Sequence, residues 1–217
     1  MDETIRTIAV FALPVLFAIT LHEAAHAYAA KFFGDNTAYS QGRMSLNPLV
    51  HVDLLGTIVI PVALYLFSGF VFGYAKPVPV DFGRLRNPKR DMAWVALAGP
   101  GANFIMAVLW LIFAALLVFF RVDETFWHHM AHAGVVTNLL IMAFNLLPIP
   151  PLDGGRVVTS MLPHKAAYAF ARIEPYGFFI VLGLVMLRLV SYWLEPVMAI
   201  GHWAVNLVAT PFTFFLY

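Results

Sequence analysis

The sequence contains no cysteine, and only 12% of its 217 residues are charged. Without thiols the chain can form no disulfide bond, offers no thiolate ligand to a metal and has no cysteine nucleophile. Any metal would have to be held by histidine and carboxylate side chains. The formal net charge of +1 also supplies no basic field for nucleic acid, so we do not expect a nucleic-acid partner.

The low fraction of charged residues is matched by a high fraction of apolar residues, which make up 61% of the chain. Ordinary soluble domains are roughly 45 to 50% apolar and about 25% charged. The composition therefore predicts a polytopic protein that lies in a lipid bilayer. No repeat, linker or low-complexity stretch divides the chain, so we expect a single membrane-embedded domain over residues 1–217.

Several apolar runs approach the ~20 residues that a helix needs to cross a bilayer. Four of them predict clear spans, at 8–33, 92–120, 134–150 and 176–194, and two are less certain, at 57–73 and 196–216. Residues 34–56 lie between the runs at 8–33 and 57–73. There, polar and apolar residues alternate around Gly42-Arg43 and Asn47-Pro48, which predicts a short membrane-associated hairpin or loop.

The densest positive cluster predicts the orientation of the chain. It lies between Tyr74 and Asp91 and consists of Lys76, Arg84, Arg86, Lys89 and Arg90. Because basic loops remain in the cytoplasm, the run at 92–120 should leave the cytoplasm and the run at 134–150 should return to it. If the first helix also runs toward the cytoplasm, the N-terminus lies outside and 57–73 is re-entrant or interfacial. The alternative is that 57–73 crosses the membrane completely. The run at 92–120 would then have the opposite orientation to the one that the basic residues predict.

The first long apolar run contains an H-E-x-x-H motif formed by His22, Glu23 and His26. Positions i and i+4 of a helix return to one face, so both imidazoles can bind one metal ion while Glu23 beside them handles a proton. Ionisable groups at the bilayer centre cost on the order of 2.5 to 3.5 kcal/mol each, which a bound metal would offset. The alternative is a helix with two unrelated histidines.

Two histidines leave a catalytic zinc short of a third protein ligand. Asp153 is the best candidate because it follows prolines that break a helix and precedes two glycines at the end of an apolar run. Asp153 could instead be an N-cap for the segment that follows. Two other groups that contain histidine have weaker patterns. His128 and His132 are four apart without an adjacent acid, and His51 with Asp53 is expected to form local hydrogen bonds.

Three motifs occur in the order H-E-A-A-H at 22–26, A-G-P-G-A-N at 98–103 and N-L-L-P-I-P-P-L-D-G-G-R at 145–156. Together they resemble the site-2 protease family of intramembrane zinc metalloproteases, peptidase family M50. The segments 42–48 and 76–80 also look like a compact prokaryotic branch, and the 217 residues contain no counterpart of the PDZ or CBS domains that other branches carry.

The resemblance implies an all-α polytopic membrane protein with a three-helix catalytic core over about 8–158 and peripheral C-terminal helices over about 176–217. It also implies one Zn²⁺ per chain and a role for each motif residue. The zinc ligands would be His22, His26 and Asp153; Glu23 would activate the metal-bound water; Asn145 would assist the oxyanion; and Asn103 would orient substrate or brace the helix pair.

The activity implied is that of an intramembrane zinc metalloendopeptidase in the cell membrane, with its active site toward the cytoplasm. Its substrates would be transmembrane proteins whose helices unwind locally, because helical hydrogen bonding screens the scissile carbonyl. The alternative from another class is a metal-ion transporter or channel that uses the same His and Asp cluster. The physiological substrate and the oligomeric state are left open by the residues.

Overall fold

The computed structural model describes residues 3–60 and 76–213, and every regular element within these ranges is helical. The all-α expectation is thus confirmed. The α-helices in chain order are α1 (Glu3–Phe32), α2 (Thr37–Ser40), α3 (Pro88–Phe119), α4 (Thr125–Asn145), α5 (Asp153–Met161), α6 (His164–Ala171), α7 (Glu174–Met186) and α8 (Ser191–Thr213).

Helices α1, α3 and α4 pack against one another and form the centre of the molecule, while α8 packs on the outside of α3 and α4. The main apolar cluster joins three of these helices and consists of Ala107, Val108, Val135, Leu139, Met142, Val205 and Ala209. Small residues at such contacts let helix backbones approach closely, which is how helices associate when the surrounding lipid is as apolar as their side chains.

Two helices of the described part are long and apolar enough to cross a membrane, over Ile5–Phe32 and Pro88–Phe119. At ~1.5 Å per residue each exceeds the roughly 30 Å hydrocarbon layer. The axes of helices α6 and α7 form an angle of 64°, and the two helices count as a third span if they are taken together. The chain is a membrane protein, but within residues 3–60 and 76–213 fewer helices meet this criterion than the apolar runs there predicted.

The predicted span at 134–150 differs most from the helix observed there, since α4 begins at Thr125 and ends at Asn145. Its first half carries three histidines, and α4 is not among the helices that are apolar enough to span. The early end has a local cause: prolines follow at 148, 150 and 151, and a residue before proline is disfavoured in helical conformation.

The sequence predicted a hairpin or loop after α1, and within residues 34–60 no hairpin forms. The described residues there form α2, a 3₁₀ turn over Pro48–Val50 and a π-helical turn over Leu54–Val59. Asn47 and Asp53 begin the last two by accepting hydrogen bonds from the backbone N–H of Leu49 and Gly56. Short polar side chains favour such capped turns over the ladder of a strand, and this preference outweighed the alternating pattern.

The chain between α1 and α3 returns to the end of α1 at which it started. The backbone N–H of Arg86 donates to the carbonyl of Phe33 at 2.9 Å. The fully buried Asp35 adds a second connection, because its carboxylate accepts from the backbone N–H of Thr37 and of Asp81. The run at 57–73 lies largely outside the described residues, so its re-entrant course stays a prediction.

Candidate metal centre

The first helix and the start of α5 bring three ligand-type side chains together inside the bundle. His22 and His26, one helical turn apart on α1, have their Nε2 atoms 3.1 Å from each other. Asp153 Oδ2 lies 3.2 Å from His22 Nε2 and 3.3 Å from His26 Nε2. Each of the three residues is at most 9% exposed. Helical periodicity thus supplies the pair, and the packing of α5 supplies the third group.

The hydrogen bonds behind the two imidazoles fix which ring nitrogen carries the proton. The Asn103 Nδ2 group donates to the carbonyl of Ala18 and to Asn138 Oδ1, so Asn103 Oδ1 is left as an acceptor for His22 Nδ1 at 2.6 Å. His26 Nδ1 lies 2.8 Å from the carbonyl of Val95, which can only accept. Both Nδ1 atoms therefore donate, and in neutral rings both Nε2 atoms present lone pairs.

When both rings are neutral, three acceptor atoms therefore meet with no hydrogen between them. Asp153 Oδ2 is buried and has no hydrogen-bond partner among the described residues, although two histidine nitrogens lie near it. Such a group of lone pairs is repulsive unless a cation lies among them. Zinc held tetrahedrally at about 2.0 to 2.1 Å separates neighbouring ligand atoms by about 3.3 Å, which matches the spacing of the three atoms. The donor set therefore fits a divalent zinc ion.

Close backbone approach on two sides leaves no room for side chains next to this cluster. A Cβ added to Gly99 of α3 would touch His26 Nε2 and would lie 2.6 Å from His22 Cε1. A Cβ added to Gly154 would collide with the carbonyl oxygens of Leu146 and Leu147, where α4 ends. Glycine at these positions lets α3 and α5 reach the histidines. A Cβ added to the neighbouring Gly101 of the same motif would have nothing within 4 Å.

Glu23 lies on the same helix between the two histidines and is partly exposed. Its Oε2 accepts a hydrogen bond of 2.7 Å from the backbone N–H of Val78. The segment that carries Val78 is held in turn by Lys76, whose N–H donates to the carbonyl of His51, and by Arg43, whose Nη2 donates to the carbonyls of Lys76 and Pro77. One carboxylate oxygen is thus fixed by the chain that follows the undescribed segment.

The two asparagines named by the sequence occupy different environments. Asn103 is fully buried, and its amide hydrogens are donated to Ala18 and Asn138. This leaves no donor for a substrate and favours the bracing alternative over the substrate-binding role. Asn145 is partly buried at the end of α4 and donates one amide hydrogen to the carbonyl of Ile141 at 3.0 Å. The second hydrogen of the Asn145 amide group does not take part in the bond to Ile141.

Asn138 is the participant that the sequence did not single out. It is fully buried, accepts from Asn103 and donates to the carbonyl of Gly134 at 2.9 Å. Together Asn138, Asn103 and His22 form a continuous hydrogen-bonded chain from α4 through α3 to α1. A polar amide in the apolar middle of α4 was the available signal, because such residues in membrane helices usually face a partner.

The remaining alternatives from the sequence are also resolved by position. Asp153 is the first residue of α5 and caps no helix, because the N-cap position belongs to Leu152. His51 Nε2 bonds to the carbonyl of Ser45, as the prediction of local hydrogen bonding expects, and His128 Nε2 bonds to the carbonyl of Val122. Among the described residues, the cluster of His22, His26 and Asp153 is the group suited to hold a metal ion.

Comparisons with known proteins show a family and relatives that are named zinc metalloproteases. The model of peptidase family M50 matches residues 120–188. The protein named "Putative zinc metalloprotease YwhC" of Bacillus subtilis is 36% identical over 195 residues, which cover 88% of this chain and 86% of that protein. "Putative zinc metalloprotease Rip2" of Mycolicibacterium smegmatis is 31% identical over 198 residues, with 88% and 74% covered. No solved structure is significantly similar.

Proposed function

Because this chain belongs to peptidase family M50 and is a membrane-embedded zinc metalloprotease, we propose that it is an endopeptidase that hydrolyses peptide bonds in or near transmembrane segments. The observation that carries the proposal is the convergence of His22 Nε2, His26 Nε2 and Asp153 Oδ2 inside a bundle of membrane helices. These three residues would hold one zinc ion per chain.

A bound zinc ion supplies Lewis-acid polarisation of a peptide carbonyl and makes water acidic enough to act near neutral pH. Glu23 is then the proton carrier. Val78 N–H holds one of its carboxylate oxygens, which leaves the other to take a proton from the attacking water and to return it to the departing amine. Such proton transfer typically contributes about 10² to 10⁴ in rate.

Asn145 is proposed to stabilise the negative charge that develops on the carbonyl oxygen. It ends α4 one residue before Leu146, whose carbonyl is packed against Gly154 and hence against the residue next to Asp153. With one amide hydrogen bonded to Ile141, the second can donate to the carbonyl. Removal of one such donor costs on the order of 10² to 10³ in rate in other hydrolases.

The basic cluster supports an active site near the cytoplasmic face. The backbone N–H of Arg86 is bonded to the carbonyl of Phe33, just after the end of α1, and Arg86 belongs to the cluster of basic residues between Tyr74 and Asp91. By the positive-inside rule we expect this end of α1 to be cytoplasmic. The N-terminus would then lie outside, and His26 would lie about 9 Å from the cytoplasmic end of the helix. The cysteine-free chain allows a direct test. Asn87→Cys should react with an impermeant maleimide from the cytoplasmic side, and reaction from outside would reverse the orientation.

The test of the activity compares purified protein with its Glu23→Gln variant on a panel of model transmembrane substrates, with bound zinc quantified in both. We expect cleavage by the native chain, a fall of at least roughly 100-fold in the variant and equal zinc content. Equal zinc with no cleavage by either protein would argue against proteolysis. In that case zinc flux in proteoliposomes would test the metal-transporter alternative.

A further inference from the structure

The last turn of α4 leaves one backbone carbonyl without a partner from its own helix. The N–H of Leu146 donates to the carbonyl of Met142 at 3.0 Å, as in an α-helix. The next N–H, that of Leu147, bonds instead to the carbonyl of Phe144 at 3.1 Å and so passes over Ala143. The last carbonyls of a helix need partners from elsewhere, and Ala143 is fully buried, out of reach of water.

Trp193 of α8 supplies the missing donor. Its indole Nε1 lies 2.9 Å from the carbonyl oxygen of Ala143, 50 positions earlier in the chain, and an indole N–H can only donate. Trp193 is partly buried in the first turn of α8, and the following turns keep that helix against α4. A Cβ added to Gly201 would lie 3.0 Å from Leu139 Cδ2 and 3.1 Å from Met142 Cε. Glycine at this position therefore allows the two helices to approach closely.

The turn that Trp193 closes is the one that carries Asn145. Asn145 follows Ala143 by two residues and donates one amide hydrogen to the carbonyl of Ile141 at 3.0 Å. The conformation of this turn therefore determines where Asn145 presents its second amide hydrogen. Without the indole, the buried carbonyl of Ala143 would be unpaired, and the donor that an α-helix would use is the N–H of Leu147. That exchange would convert the final 3₁₀ turn into further α-helix and shift the residues around Asn145.

We propose that Trp193 is a positioning residue for peptide hydrolysis: its indole N–H caps the carbonyl of Ala143 and so holds Asn145 where the second amide hydrogen reaches the oxyanion. The proposal rests on the proposed function and extends the site to α8, a helix that the sequence assigned to the periphery. Trp193 acts through the backbone of α4. The ligand Asp153 is carried by α5, which packs mainly on α3, so zinc affinity should not depend on the indole.

Two changes at Trp193 separate its hydrogen bond from its bulk. Trp193→Phe keeps an aromatic ring but removes the N–H. Replacement of Trp193 by β-(3-benzothienyl)alanine keeps the bicyclic shape and puts sulfur in place of the N–H. Trp203→Phe is the matched control, because Trp203 lies on the same helix and is 66% exposed. A defect caused by the lost bond occurs with both changes at Trp193, whereas a defect caused by lost packing occurs with phenylalanine alone.

The experiment measures the Kd of an apolar phosphinic peptide for the zinc-loaded full chain in detergent. The tetrahedral phosphinate presents an anionic oxygen that resembles the oxyanion of peptide hydrolysis. We expect both changes at Trp193 to weaken binding roughly threefold to tenfold, and Trp203→Phe to leave it unchanged. In an Asn145→Ala background the changes at Trp193 should have no further effect, because the amide hydrogen that they misplace is already absent.

Two further measurements distinguish positioning from a general structural role. Zinc affinity, measured by competition with a chelator, should be the same for the Trp193 variants and the native chain, rather than fall by the roughly 10- to 100-fold typical of lost partners of zinc ligands. In cleavage assays the Trp193 variants should lower kcat and leave KM unchanged, because the oxyanion develops only in the transition state.

Equal losses of phosphinate binding with and without Asn145 would overturn the proposal. So would native binding by the benzothienylalanine variant, a parallel loss of zinc affinity, or failure of the native chain to bind the phosphinate. Cleavage by the native chain is followed separately, so the two ideas fail independently. Cleavage in which the effects of Trp193→Phe and Asn145→Ala multiply removes only the role of Trp193. Phosphinate binding that shows the expected coupling, without cleavage of any substrate by the native chain, removes only the proposed proteolysis.

Discussion

Asn103 offers the sharpest test of how the metal centre is held. It joins three helices through hydrogen bonds to His22 Nδ1, the carbonyl of Ala18 and Asn138 Oδ1, and it is fully buried. The substitution Asn103→Leu keeps the volume close but removes all three bonds. At about 1 kcal/mol net for each bond, the variant should lose roughly 3 kcal/mol of folding free energy.

The effect on the metal is separate from this loss. Without Asn103 Oδ1, the N–H at His22 Nδ1 is buried without an acceptor, and the ring is free to rotate or to change tautomer. Removal of such outer partners typically lowers metal affinity by about 10- to 100-fold, or about 1.4 to 2.8 kcal/mol. Zinc affinity is measured on the purified variant by competition with a chelator of known affinity at fixed pH.

Asn103→Asp is the matched control. It keeps an oxygen for His22 Nδ1 but places a second oxygen against two acceptors, the carbonyl of Ala18 and Asn138 Oδ1. We expect a lower melting temperature with zinc affinity within about threefold of the native chain, because carboxylates are ordinary partners of metal-binding histidines. The reasoning is refuted if the leucine variant binds zinc as tightly as the native chain, or if both variants weaken binding equally.

Three further outcomes follow from the same geometry. Gly99→Ala should lower zinc affinity by about 10-fold or more, because its methyl group would occupy the space of the histidine rings, whereas Gly101→Ala, with open space, should bind zinc normally in the same competition assay. In a thermal-shift assay, zinc at 100 times its Kd should stabilise the native chain by about 2.7 kcal/mol, and Asp153→Asn should abolish most of this gain. Asp35→Ala should lower the melting temperature and reduce peptide cleavage while zinc content is kept, since Asp35 holds the segment 76–81 whose Val78 supports the catalytic glutamate. Unchanged cleavage in this variant would show that the support is not needed.

The candidate site divides into a local part and a distant part. His22 and His26 could be paired from the sequence because four residues of helix return a side chain to the same face, which needs no knowledge of other elements. Asp153 lies 127 residues beyond His26, and physical pattern alone left it open between a ligand and a helix cap. The similarity of the motifs to a known family, rather than spacing, gave it a preferred role.

The fold shows the same division. Hydropathy predicted a membrane protein correctly, because each polar group exposed to lipid adds its own cost, and the resemblance to a known family added the all-α fold. The predictions for residues 34–56 and 134–150 differed from the structure, because in both segments the hydropathy pattern competes with local backbone preferences. The alternation over 34–56 indicated a hairpin or loop, yet Asn47 and Asp53 cap helical turns there. The run at 134–150 indicated a span, yet α4 starts at Thr125 and stops before the prolines.

The sequence by itself determined a helical membrane protein with a histidine pair, an adjacent glutamate and no thiol ligand, because composition and helical period act over a few residues. Tertiary structure alone decided what lies behind and beside that pair. Asn138 supports Asn103, Val95 fixes the tautomer of His26, and Val78 holds Glu23. These contacts join residues 35, 69 and 55 positions apart, and only the packing of α1, α3, α4 and their connecting segments brings such distant groups within hydrogen-bond distance.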